Sequence, residues 1–215
     1  SAQSGADSGN SYRDDQFTPI GLDQARNVLD NPQAHRSIVK RFGLDEPGHA
    51  NFHTRILNEG IKQAGGVRQA SSLALLSHYP QVRSTIRKII SELSDAHLES
   101  PANVQIRPHI SIYVVVTIAG ASGSGMYLEM LALIADLTRR MSVDISTIAV
   151  MPNAFDSELD GRPEEELRSQ ASAYAAAQEI QAFRGGFGVD HGIKFGPNER
   201  FQSILEPGFS HQFFV

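Results

Sequence analysis

The sequence contains no cysteine and no tryptophan. Without thiols there is neither a disulfide framework nor a thiolate metal site, so stability has to come from an ordinary apolar core. Long hydrophobic runs are also missing: no stretch approaches the ~20 apolar residues that span a bilayer. The amino-terminal residues are polar, with no apolar signal-peptide segment, and a cytoplasmic location is the resulting expectation. Nor is there a basic block. The 19 Lys and Arg are scattered among 24 Asp and Glu, for a formal net charge of −5, which argues against a nucleic-acid scaffold. What remains is a chain of 215 residues, 40% hydrophobic and 20% charged, enough material for one α/β domain with a real core.

Residues Ser1 to Phe17 are rich in Ser, Gly, Asp, Asn and Gln and hold too little apolar surface to offset the entropy of ordering. They read as a tail, and residues 18–215 as a single domain. From Leu22 the spacing turns helical, with Asp23 as a cap and Ala25, Val28 and Leu29 on one face. A second short helix runs from Ile38 to Phe42 and ends at Gly43. The turn signal Ala64-Gly65-Gly66 leads into a helix that stops before Pro80. In the next segment Val82, Ile86, Ile89, Ile90 and Leu93 share one helical face.

Ile110 to Ile118 is apolar on both parities and rich in β-branched residues, the composition of a strand covered on both faces and therefore of a parallel sheet. A helix is expected from Ser124 to Met141, with Tyr127, Met130, Leu131, Ile134, Leu137 and Met141 as its core stripe. Val143 to Met151 reads as a second buried strand, completing a βαβ unit. A polar loop then reaches Arg162. Pro163 opens another helix, whose Glu164, Glu165 and Glu166 complement the positive end of its dipole. Residues 184–208 read as an irregular, glycine-bearing excursion, and His211 to Val215 as the start of a strand.

The chemistry concentrates at Thr117-Ile118-Ala119-Gly120-Ala121-Ser122-Gly123-Ser124-Gly125, between the carboxyl end of a strand and the amino end of a helix. Open α/β sheets bind ligands there. Glycines allow a tight turn and close approach, unpaired amides at a helix start point at an anion, and the Ser122 and Ser124 hydroxyls add donors. A phosphate suits that set. Met126 stands where a Walker A loop needs its lysine, Leu128 fails to complete a dinucleotide fingerprint, and neither serine has the flanking glycines of a nucleophile elbow.

The sequence Gly120-Ala121-Ser122-Gly123-Ser124-Gly125 resembles the signature loop of the tubulin and FtsZ superfamily, GGGTGSG or a close variant. Upstream, Gln63-Ala64-Gly65-Gly66-Val67-Arg68 is similar to the loop that lies beside the terminal phosphates in that superfamily. Downstream, Met151-Pro152-Asn153-Ala154-Phe155-Asp156 is similar to its ribose-side loop. Bacterial tubulin-like proteins look closest. The resemblance covers residues 58–183 and implies a Rossmann-like, three-layer α/β domain with a parallel sheet, of the tubulin nucleotide-binding type and incomplete at both ends. It further implies GTP or GDP, with Mg²⁺, as ligand. The phosphates would lie on Gly120 to Gly125 and beside Ala64, Gly65, Gly66 and Arg68, and the ribose near Pro152, Asp156 and Glu158. Hydrolysis would need an acidic residue from a second subunit or from a segment outside this sequence, and filament assembly follows from the resemblance alone. Two departures stand out: Ala121 and Ser122 replace the usual Gly-Gly or Gly-Thr, and Ser1 to Phe17 contains no strand leading to a first glycine-rich loop.

Other readings stay open on the residues themselves. Gly65-Gly66 is also an ordinary turn before a helix, and Arg68 a surface charge. A tubulin-fold interaction module without turnover, binding another protein through residues 185–209, is one alternative. An α/β enzyme for a phosphorylated metabolite is another. His49 and His53, four apart, lack the glutamate of a zinc-protease motif and read as surface residues.

Overall fold

The computed structural model describes residues 18–22, 25–41, 68–96, 109–184, 194–195, 199–200 and 209–215. The elements, in chain order, are α1 (Ala25–Asp30), α2 (Arg36–Arg41), α3 (Arg68–Ser77), α4 (Tyr79–Ala96), β1 (Ile110–Thr117), α5 (Ala121–Thr138), β2 (Val143–Val150), a 3₁₀ turn (Pro152–Phe155), α6 (Asp156–Leu159), α7 (Pro163–Arg184), β3 (Lys194–Phe195), β4 (Glu199–Arg200) and β5 (Phe209–Phe214). The tail, the Ala64-Gly65-Gly66 turn, His49, His53 and residues 185–193 lie outside the described residues.

β1 and β2 pair in parallel, with Ile112 opposite Ile145 and Thr117 opposite Val150. β5 adds to β2, also in parallel, giving the order β1-β2-β5. β3 and β4 form a small antiparallel pair. The α/β class and the parallel sheet expected from β-branched composition are both present. Because parallel strands start and end together, the residues leaving β1 and β2 emerge at one edge of the sheet, where ligands bind in this architecture.

One sheet face is packed. Tyr127, Leu131 and Ile134 of α5 and Ile180 of α7 cluster with Ile112, Val114 and Val116 of β1 and with Ile145 of β2. Ala173 and Ala176 of α7 close over Ile118 and Ala149, and their small side chains let that helix lie near the backbone. The outer face of α5 packs on α3, where Leu73 and Leu75 meet Leu133 in a core shared with Val28 of α1 and Ile38 of α2. Residues Ala70 to Leu76 of α3 are all buried, so that helix is enclosed on every side. Thr147, fully buried in β2, has a hydroxyl with no hydrogen-bond partner.

Four expectations change. β1 is not covered on both faces: burial alternates along it, and Tyr113 and Val115 are each 66% exposed. Composition reports β propensity, but coverage depends on what packs against each face. The helix after β1 runs from Ala121 to Thr138 and not from Ser124 to Met141, so Gly123 and Gly125 lie within its first turns and Met141 lies beyond its end. The segment 152–162 is not simply a loop. It folds into the 3₁₀ turn and α6, and reverses at Gly161, whose φ of +76° is a conformation glycine adopts without steric cost. Finally, Leu93 of the α4 stripe is 46% exposed. Among the described residues no helix is long and apolar enough to cross a membrane.

Candidate functional site

The turn from β1 into α5 is built by backbone geometry. Gly120 is the N-cap of α5, with extended φ of −110° and ψ of 161°, and no side chain caps the helix. The first intrahelical bond is from the Ser124 amide to the Gly120 carbonyl, 3.1 Å. Helix geometry therefore leaves the amides of Ala121, Ser122 and Gly123 without intrahelical acceptors, in the field of the positive helix end. Gly120 and Ser122 are exposed, whereas Ala121 and Ser124 are buried.

The three glycines serve different needs. A Cβ on Gly123 would sit 1.9 Å from the Thr117 carbonyl oxygen, and one on Gly125 would sit 2.3 Å from the Arg68 carbonyl oxygen. Both positions require glycine so that α5 can press against the end of β1 and the first residue of α3. At Gly120 a Cβ would meet nothing within 4 Å. That position is open.

Arg68 opens α3, and its backbone rests on Gly125. Its guanidinium reaches across the first turn of α5. The Nε–H donates to Ser124 Oγ at 3.1 Å and Nη2 donates to the Ser124 carbonyl at 2.9 Å. Nη1 and Nη2 donate to Glu179 Oε1 and Oε2 of α7 at 2.9 and 2.6 Å, a fork-to-fork carboxylate pair. Ser124 Oγ in turn donates to the Gly120 carbonyl at 2.7 Å. The Ser124 hydroxyl proton, which sequence reading offers to an anion, is thus engaged within the turn, and four of the five guanidinium donors of Arg68 are in use. Glu179 has no sequence signal: it is one glutamate in a helix, 111 residues from its partner.

Pro152 leaves β2 at the same sheet edge as the Gly120 turn and is half-buried, while Asp156 and Glu158 are exposed on α6. Ser157 Oγ donates to Glu158 Oε2 at 2.9 Å. The parallel register thereby brings the segments containing Gly120 to Gly125 and Pro152 to Glu158 to one edge. Arg68 lies beside the former through Ser124. Ala64, Gly65 and Gly66 fall outside the described residues.

A strand-to-helix turn with an uncapped helix start, followed by a second segment leaving the same edge of a parallel sheet, fits a Rossmann-like α/β architecture of the tubulin type. The chain belongs to the tubulin-like family, whose family model matches residues 25–204. No curated protein and no solved structure matches the chain.

Proposed function

We propose that this tubulin-like chain binds a guanine nucleotide, GTP or GDP accompanied by Mg²⁺, with the phosphates seated on the amides at the start of α5. The observation that supports this most directly is Gly120: an exposed N-cap with no capping side chain and open space around it, where an anion can take the place of the missing cap. Ser122, exposed in the same turn, offers a further hydroxyl donor. Mg²⁺ would be carried by the phosphates and water, as is usual for that ion. Asp156 and Glu158 are suited to accept hydrogen bonds from ribose hydroxyls. Turnover is assigned to the assembled state, where a neighbouring subunit would supply an acid, and filament formation in a bacterial cytoplasm is part of the same family-based reading.

Calorimetric titration of GTP, GDP and ATP with Mg²⁺ tests this reading on the wild type and on Gly120→Asp. Guanine nucleotides should bind the wild type more tightly than ATP, and the variant should bind them at least about fivefold more weakly while remaining folded. Absence of binding to the wild type would overturn the proposal. One observation favours a second reading, a tubulin-fold interaction module without turnover: the bare β1 face bearing Tyr113 and Val115 has the apolar exposure of a surface that meets another protein.

A further inference from the structure

We infer that Glu179 is a positioning residue of the α5 turn, acting through Arg68. The inference rests on the nucleotide-binding reading for its functional consequence, but its structural part stands on geometry alone. Three helices meet at one guanidinium. Arg68 begins α3, Ser124 lies in the first turn of α5, and Glu179 belongs to α7. Arg68 is held from one side by both Glu179 oxygens and directs its remaining bonds to the hydroxyl and carbonyl of Ser124. The Ser124 hydroxyl then closes on the carbonyl of Gly120, the residue at the mouth of the turn. A continuous hydrogen-bonded chain therefore runs from Glu179 to Gly120.

The guanidinium side chain is 16% exposed and the carboxylate 49%, so the pair spans from the protein interior to solvent. Without Glu179, Arg68 keeps its charge but loses the planar carboxylate that fixes the orientation of its fork. A guanidinium free to rotate no longer holds Ser124 in one place. The phosphate-facing amides of Ala121, Ser122 and Gly123 precede Ser124 directly, and small errors in their aim weaken binding of an oriented anion. Gly125 belongs to the same device, because only a missing Cβ lets the Arg68 backbone approach α5 closely enough for its side chain to make these bonds. The role assigned to Arg68 is therefore support of the turn. Four of its five donors are already committed, which leaves a single Nη1 hydrogen for any direct contact with a phosphate.

The test uses Glu179→Ala and the double exchange Arg68→Glu/Glu179→Arg. Amide hydrogen exchange at Ser124, Gly125 and Met126 is measured without nucleotide, and GTP affinity is measured by calorimetry. In Glu179→Ala, exchange at those amides should accelerate about tenfold, and GTP should bind about tenfold more weakly. The melting temperature should move little, since a half-exposed ion pair adds little global stability. The double exchange restores opposite charges but places a carboxylate, which cannot donate to Ser124, at position 68. It should keep a melting temperature near that of the wild type without recovering slow exchange or GTP affinity. Unchanged exchange in Glu179→Ala would overturn the inference, as would full recovery of GTP affinity in the double exchange. If the wild type binds no nucleotide while Glu179→Ala still accelerates exchange, the nucleotide reading falls and the positioning role stands.

Discussion

Gly120→Asp should move stability and ligand binding in opposite directions. The added side chain has room, since a Cβ at Gly120 meets nothing within 4 Å and the backbone already has N-cap geometry. Asp is among the preferred N-caps, and its carboxylate can accept from the amides of Ser122 or Gly123. The gain over Gly is about a few tenths of a kcal/mol, which for a chain of this length raises the melting temperature by about 1 °C. The same carboxylate occupies the place proposed for a phosphate. At ~4 Å, like unit charges repel by about 1 kcal/mol in bulk water and about 4 kcal/mol at the effective dielectric of a protein surface. An affinity loss between about fivefold and a thousandfold follows, reduced by added salt. Differential scanning calorimetry and nucleotide titration on the same preparation read both effects. Unaltered GTP affinity in a stably folded variant would refute the placement of the phosphates at this turn. A fall in melting temperature of several degrees would refute the assignment of Gly120 as a free cap.

The other two signature glycines should behave in the reverse way. Gly123→Ala and Gly125→Ala drive a methyl into the Thr117 and Arg68 carbonyls, and each should cost about 1–3 kcal/mol of stability, seen as a lower urea midpoint whether or not nucleotide is present. Thr147→Val replaces a fully buried, unpartnered hydroxyl with a methyl of the same shape and should stabilise the fold by about 1 kcal/mol or more, measured by chemical denaturation. Tyr113→Ser with Val115→Thr removes apolar surface that is two-thirds exposed. Each substitution should change unfolding free energy by only about 0.5 kcal/mol, and a large loss in urea denaturation would mean that this face is covered in solution.

Much of the local structure is readable from residue order because it rests on local rules. Pro163 followed by three glutamates marks the start of α7. The β-branched run marks β1, and the glycine cluster marks the passage into α5. Reading failed where two local rules gave the same letters. Gly123 and Gly125 look like loop residues, yet they are helical because the helix must lie against the backbone of β1 and α3. Apolar letters on both parities of β1 suggest two covered faces, yet only the even-numbered residues from Ile112 to Val116 meet the helices α5 and α7.

By itself, the sequence determined the α/β class, the parallel βαβ unit, the position of the signature turn and the tubulin-like family, all of which depend on neighbours in the chain or on residue order. Only the tertiary structure decided which glycines are needed for packing and which one leaves the helix start open. It also decided that Arg68 is shared between Ser124 and Glu179. Those facts depend on contacts between residues far apart in sequence, such as the 111 positions between Arg68 and Glu179, and hydrogen-bond partners at such separation are set by how helices pack and not by any local pattern of letters.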